Sequence, residues 1–580
     1  MDDDERAMCG IVAILSRPGD RQAPDLAGGA RRLAEAAEAV RAWGTADEQA
    51  GSLVAAADTA EKIVKELAGY GGLKALLAEP EALKVPVQRL GEALARFEQL
   101  LDQRASGLGT AKVEELNSVL VRLKDSQFKL ERDRLGNLDK VRGLAAGSSA
   151  EPHLRAAYDL NVALNALDRL EVRGRDSAGI SILVRGDFSA LLDELDGEVA
   201  ERVRVPHFTH RAVRRVETEA GPAFSFAYKV AAEVGELGEN VRGLRAAIGG
   251  DTLLHRLLDA PGATAEILGH TRWASVGIIS EANAHPLNHE EAEAARGPYT
   301  VAALNGDVDN YQELVRHEEL ALAPATTTDA KVIPVLVAKR AAEGDPLDEA
   351  FRKTVSRFEG SVAIACSSAD APGRMFLALR GSGQALYVGV TQDCFLVASE
   401  PYGIVEETAR YVRLDGETPA DPDRPDSRGQ VVVLDGARAG ELAGILRFAY
   451  DGTPLPVTEK DLKRTDITTR DIDRGSHRHY LKKEIAEAPS SIRKTLRGRL
   501  TEEQGLVRPL LGEESLPSRI CAALKDGTIE RIRVIGQGTA AVAGQAVAEA
   551  IRDALADLPV EVDAMPATEV SGVHLRDEMA

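Results

Sequence analysis

Between residues 24 and 142 apolar side chains recur at helical spacing, and this constrains the fold more than any other feature of the chain. Val87, Leu90, Leu94, Phe97 and Leu101 are separated by 3, 4, 3 and 4 residues. Val113, Leu116, Leu120 and Leu123 repeat the pattern, and Leu130 continues it after Gln127. Such spacing puts an apolar stripe on one face of each of two amphipathic helices. The stretch Ala105-Ser106-Gly107-Leu108-Gly109-Thr110 between them reads as a turn, so the pair is expected to form an antiparallel hairpin. A helical bundle that packs on itself, inserted at 24–142, accounts for the segment. An arm that binds a partner is the alternative reading.

The flanking sequence has a different texture. Cys9 to Leu15 is a short continuous apolar run, read as a buried strand closed by Arg17-Pro18-Gly19. From about 150 to 455 short strands such as Val362-Ala363-Ile364-Ala365 alternate with helical stretches, and 417–429 is a polar, proline-rich loop. A further segment covers 470–580. There Arg531-Ile532-Arg533-Val534-Ile535 reads as a strand, Gly536-Gln537-Gly538-Thr539 as a turn, and the Ala/Val-rich run to about Leu555 as a helix. A second strand starts at Val560, which makes one open α/β unit.

Composition narrows the function. A net charge of −21 argues against a nucleic-acid binder, which presents a basic face. The 4 cysteines, at 9, 366, 394 and 521, contain no CxxC pair, so neither a zinc site nor a disulfide framework is expected. No apolar run of about 18 residues is present, so no membrane span is expected. The acidic N-terminus lacks a signal-peptide core, and a cytoplasmic location is expected.

Cys9 stands directly after Met8 at the head of the first apolar run. A cysteine in such a place can be an ordinary small core residue. If translation starts at Met8, or if residues 1–8 are clipped, Cys9 becomes N-terminal. It then carries a thiol nucleophile and an α-amine base on one residue, because that amine has a pKa near about 8.

Four motif blocks follow in order. They are Arg173-Gly174-Arg175-Asp176-Ser177-Ala178-Gly179, then His270-Thr271-Arg272-Trp273-Ala274-Ser275 running on to Asn283-Ala284-His285-Pro286, then Leu304-Asn305-Gly306-Asp307, then Thr327-Thr328-Asp329. After a Cys-Gly-Ile-Val start they resemble the class II (N-terminal nucleophile) glutamine amidotransferases. Within that class they are most similar to the glucosamine-6-phosphate synthases, the glutamine:fructose-6-phosphate aminotransferases. Arg478-His479-Tyr480-Leu481-Lys482-Lys483-Glu484-Ile485 resembles that family's link into its sugar-isomerase half. The resemblance covers 9–16 and about 160–580.

The resemblance implies an α+β fold. A glutaminase domain over 9–16 and 150–455 would form an N-terminal nucleophile αββα sandwich carrying the 24–142 insertion. Residues 470–580 would be a linker and an incomplete phosphosugar-isomerase (SIS) type α/β domain. Cys9 would attack the glutamine side-chain carbonyl, and the Asn305 amide with the Gly306 N–H would bind the developing oxyanion. Arg272 would hold the substrate α-carboxylate as a fork and Asp329 its α-ammonium, with Ser275 also at the substrate. Trp273 would gate ammonia passage. Arg173, Asp176, Ser177 and Gly179 would shape the site. Gly538 and Thr539 would belong to a phosphosugar loop at a helix N-terminus. No cofactor or metal is implied. The partners are glutamine and fructose 6-phosphate, with a homodimer the assembly suggested, and the process is amino-sugar biosynthesis.

Three departures stand out. Val276 follows Ser275 where the family often has His, Ala540 replaces a serine in the phosphosugar loop, and the remaining isomerase motifs are absent from the sequence. This chain is therefore expected to hydrolyse glutamine without aminating fructose 6-phosphate. A glutaminase for another acceptor, and a degenerate scaffold or regulator, are the rival readings.

Overall fold

The computed structural model describes residues 9–573, apart from 18–22, 45–49, 207, 220, 233–235, 292–295, 504–505 and 510–515. Met1–Met8, and Pro18-Gly19 of the expected first turn, lie outside the described residues. The chain divides into two compact units, 1–98 with 119–486, and 99–118 with 487–580.

The first unit holds two large antiparallel sheets. Strands β1 (Gly10–Ser16), β2 (Ser177–Arg185), β3 (Ala212–Thr218), β4 (Gly221–Val230) and β5 (Thr264–Arg272) belong to one sheet. Strands β6 (Leu287–Asn288), β7 (Thr300–Gly306), β8 (Val362–Ser368) and β9 (Arg374–Arg380) belong to the other. The first sheet is completed by β10 (Tyr387–Val390), β11 (Cys394–Ala398), β12 (Arg410–Arg413) and β15 (Leu462–Arg464). The second is completed by β13 (Gln430–Asp435) and β14 (Ile445–Ala449). The strand orders are β15-β12-β10-β11-β1-β5-β2-β4-β3 and β14-β13-β9-β8-β7-β6.

Strand β1 lies inside its sheet, between β11 and β5. That place explains its unbroken apolar sequence, since both faces must be buried. Ile11, Ala13 and Leu15 share one core with Val301 and Ala303 of β7 and Ala363 and Ala365 of β8, so the two sheets face each other. On the opposite face of the second sheet, Leu304, Ile364 and Phe376 pack with Val332, Val335 and Leu336.

The helices of this unit include α1 (Leu26–Ala42), α2 (Ala50–Glu66), α3 (Gly69–Ala78) and α4 (Glu81–Leu108), whose last turns enter the second unit. Then come α5 (Thr110–Phe128), a π-helical turn at Lys129–Leu135, α6 (Leu138–Leu144) and α7 (Glu151–Leu170). Helix α7 lies hard against the first sheet. A Cβ on Gly269 would sit 2.9 Å from Leu167, and one on Gly10 would sit 2.7 Å from Leu170.

Every residue of the two expected helical stripes is buried, from Val87 to Leu101 and from Val113 to Leu130. Trp43 meets Phe97 edge-on at 4.7 Å, and Lys124 pairs with Glu98 at 2.5 Å across the hairpin. The turn differs from the expected one. Helix α4 continues to Leu108, and Gly109 alone reverses the chain at φ +73°. Burial of Leu101 and Ala105 keeps the helix going, and the left-handed glycine stops it.

The remaining helices are α8 (Leu192–Val203), α9 (Glu239–Gly249), α10 (Thr252–Leu258), α11 (Tyr311–His317), α12 (Val332–Ala342), α13 (Leu347–Val355) and α14 (Tyr480–Leu496). Among the described residues no helix is long and apolar enough to cross a membrane.

In the second unit, the hairpin tip is held by Arg497, whose guanidinium bonds Asp102 and Asn117 at 2.6 Å each. A small sheet of β16 (Leu500–Glu503) and β17 (Leu506–Pro509) and the helix α15 (Ser518–Lys525) follow. Then β18 (Arg531–Gly536) leads through α16 (Thr539–Ala554) to β19 (Glu561–Pro566), and α17 (Ala567–Val573) comes last. Strands β18 and β19 pair in parallel, as a βαβ crossover requires.

Candidate active site

The site forms where the start of β1 meets the ends of β5 and β7. Pairing of Gly10 with Thr271 carries Cys9 to the end of β5, where Arg272 and Trp273 follow. The Trp273 N–H donates to Cys9 Sγ at 3.3 Å, and the thiol reaches the Trp273 carbonyl at 3.4 Å. Burial pushes the Cys9 thiol up to about 11, against the pull of the Trp273 N–H and the Arg272 charge. At neutral pH the side chain is therefore a thiol that needs a base before it can attack.

Asn305 and Gly306 end β7. The Asn305 Nδ2 donates to the Cys9 carbonyl at 2.8 Å, which places that amide beside the thiol-bearing residue. Gly306 has φ +87°, and a Cβ there would lie 1.9 Å from the Ser361 carbonyl oxygen. Only glycine fits this turn.

Arg272 is buried, and its guanidinium donates to Val276 O and, at 3.2 Å, to Ile278 O. These bonds fix the fork while leaving further N–H donors for a carboxylate. Asp329 is also buried, and it accepts from the Val308 N–H at 2.7 Å and the Thr328 hydroxyl at 3.2 Å. Burial raises its carboxyl to about 6, although both bonds oppose the shift. Ser275 donates to Asp307 at 2.6 Å, and Trp273 is 43% exposed, so its ring stands open at the rim.

The upstream motif braces this loop. Asp176 accepts from the Ala274 N–H at 2.9 Å, and its own N–H donates to Arg272 O at 3.1 Å. Arg173 pairs with Glu400 at 3.0 Å. Ser177 is buried opposite Arg272. A Cβ on Gly179 would collide with His285 O at 2.3 Å.

Cys9, Arg272, Trp273, Ser275, Asn305, Gly306 and Asp329 thus gather around the ends of three strands and the loops that follow them. Gly538 and Thr539 lie in the second unit, where Gly538 (φ +56°) caps α16. Two further residues carry the site without having been singled out from the sequence. Asn283 accepts from the Thr327 and Thr328 N–H groups at 2.7 and 3.1 Å and donates to Ile278 O at 3.1 Å. His270 bonds Asn305. Both sit in the motif blocks, which was their only signal. Among the described residues no group of three or more His, Cys, Asp or Glu could hold a metal ion.

Residues 270–406 match the family model of the glutamine amidotransferase domain. The glutamine–fructose-6-phosphate aminotransferase (isomerizing) of Shouchella clausii is 30% identical over 51% of this chain and 42% of its own length. Its counterpart from Symbiobacterium thermophilum is 32% identical over 51% of this chain and 42% of its own length. The one from Bacillus subtilis is 31% identical over 53% and 45%. The chain therefore spans less than half the length of these relatives. A solved structure described as the allosteric regulatory enzyme of purine biosynthesis aligns at 18% identity over 47% of this chain and 49% of that one. Its TM-score of 0.28 is a level that fixes no fold.

Proposed function

We propose that this chain, a glutamine amidotransferase of class II close to the glutamine–fructose-6-phosphate aminotransferases, hydrolyses glutamine to glutamate and ammonia with Cys9 as nucleophile. Removal of Met1–Met8 frees the Cys9 α-amine, which takes the thiol proton. Sγ then bonds to the side-chain carbonyl carbon, and the resulting oxyanion is held by Asn305 Nδ2 and the Gly306 N–H. The carbon–nitrogen bond breaks, and the amine proton leaves with ammonia. Water hydrolyses the thioester and returns the thiol.

Arg272 binds the α-carboxylate, Asp329 the α-ammonium, and Ser275, bonded to Asp307, adds a polar group at the substrate. Trp273, exposed beside Cys9, is read as the gate for ammonia passage. The paired sheets are read as the N-terminal nucleophile sandwich, and β18–α16–β19 as the start of an SIS-type domain with Gly538 and Thr539 at its anion loop. Ammonia passes to fructose 6-phosphate to give glucosamine 6-phosphate. A cytoplasmic, homodimeric protein fits that role.

The observation that carries this reading is the meeting of the Cys9 thiol with the Trp273 N–H beside the Asn305 amide. A second reading, transfer to another acceptor, is favoured by Ala540, which removes a hydroxyl from the loop that would hold a sugar phosphate. The test is N-terminal sequencing of the native protein together with glutamate release from glutamine. A chain beginning at Cys9 that releases glutamate, and a Cys9→Ala variant that does not, support the glutaminase. A chain that keeps Met1 and leaves glutamine intact sinks it in favour of a scaffold.

A further inference from the structure

His270 is fully buried at the end of β5, its ring tilted 37° against that of His285 with centroids 4.5 Å apart. Its Nε2 lies 2.9 Å from Leu304 O and 3.1 Å from Asn305 Oδ1. A backbone carbonyl can only accept, so Nε2 carries the proton. The other end of the Asn305 amide faces a second pure acceptor, the Cys9 carbonyl, at 2.8 Å. Both ends therefore agree on one orientation, with Oδ1 toward His270 and Nδ2 toward Cys9. Turning the amide over would set an N–H against the Nε2–H and an oxygen against the Cys9 carbonyl, losing two bonds at once.

We propose that His270 is a positioning residue, whose Nε2–H locks the Asn305 amide with its NH2 toward the reacting carbon and so presets one oxyanion donor. This rests on the glutaminase reading above. Burial also pushes the imidazole down to about 3, so the lock keeps one protonation state across the working pH range. Among the described residues the Nδ1 atom has no hydrogen-bond partner, so the ring's hydrogen bonds to them run through Nε2.

The experiment uses the full chain with a free Cys9 amine. It compares wild type, His270→Phe, His270→Gln, Asn305→Ala and the His270→Phe/Asn305→Ala double variant. Two readouts are taken: glutamine hydrolysis (kcat and KM), and alkylation of Cys9 by iodoacetamide, which forms no oxyanion. His270→Phe is expected to lower kcat about 10–100-fold, less than outright loss of the donor, with KM and alkylation unchanged. His270→Gln, whose amide nitrogen reaches the Nε2 position, should restore most of the rate. In the Asn305→Ala background the Phe substitution should cost nothing more.

Alkylation that falls in step with kcat, or losses that multiply in the double variant, would overturn the proposal. If the Phe variant misfolds, His270→Asn removes the same donor and serves in its place. If wild type does not hydrolyse glutamine, the functional reading fails by itself. The lock is then read from a neutron crystal structure of the variant, which separates amide nitrogen from oxygen: an Asn305 NH2 still facing Cys9 overturns it and an inverted amide upholds it.

Discussion

Cys9 Sγ lies 3.3 Å from the backbone nitrogen of Trp273 and 3.4 Å from the same residue's carbonyl oxygen. The thiol has an acceptor and the thiolate a donor without any side chain moving. Burial still wins, holding the thiol up to about 11. In a chain that retains Met8, Cys9 alkylation by iodoacetamide should rise about tenfold per pH unit between 7 and 10, following the thiolate fraction. In a chain beginning at Cys9 the amine takes the proton, so the rate should be higher at pH 7 and level off near about pH 8. Peptide-mapped labelling reads both curves, and identical curves would remove the amine from the mechanism.

Gly306 is expected to tolerate no side chain. Gly306→Ala would place Cβ 1.9 Å from Ser361 O at φ +87°. The backbone must then shift, taking the proposed oxyanion donor with it, and kcat should fall by about 100-fold or more. Gly373, at φ +70° with open space for 4 Å around the place a Cβ would occupy, gives the control. Gly373→Ala should cost only the left-handed penalty of about 1–2 kcal/mol and leave kcat intact. Thermal melts and glutamate release on both variants decide it. An active Gly306→Ala would mean the N–H is not used.

The helical stripes could be read because local spacing encodes them: Val87 to Leu101 need only the helix period. The length of α4 could not, because Ser106 and Gly107 look like turn residues until Leu101 and Ala105 are seen to be buried. The motif blocks named the residues that gather at the strand ends. They did not reveal the bonds between blocks, since those depend on tertiary approach across many residues. Asn283 meets Thr327 across 44 positions, and His270 meets Asn305 across 35. The sheet orders were likewise out of reach, since β1 pairs with strands hundreds of residues away.

Asp329 should make substrate binding sensitive to acid. Burial is the main cause of its rise to about 6, and the nearby Asp307 charge adds to it. An α-ammonium pairs only with the ionised form. KM for glutamine should therefore be flat above about pH 6 and climb about tenfold per unit below it. The stability effect has the opposite sense. A carboxyl raised in the folded state stabilises the fold below its unfolded pKa, and that contribution is lost as pH rises through about 6. Asp329→Asn should thus bind glutamine poorly at every pH yet melt no lower than wild type at about pH 7. A KM independent of pH between about 5 and 7 in wild type would remove Asp329 from the substrate.

Asn283 joins the two halves of the proposed substrate clamp. Its Oδ1 holds the Thr327 and Thr328 N–H groups next to Asp329, at 2.7 and 3.1 Å. Its Nδ2 holds Ile278 O at 3.1 Å, the same oxygen that Arg272 Nη1 reaches at 3.2 Å. The spacing between Arg272 and Asp329 is thus set through one buried amide. Asn283→Ala should raise KM for glutamine about tenfold while kcat stays within about threefold, because Cys9 and Asn305 are untouched. Asn283→Asp keeps the acceptor toward Thr327 and Thr328 but loses the donor to Ile278, so it should fall between wild type and Ala. Steady-state kinetics on the two variants tests this order. A drop in kcat at constant KM would show instead that Asn283 acts on the chemistry through the backbone of the 273–278 loop.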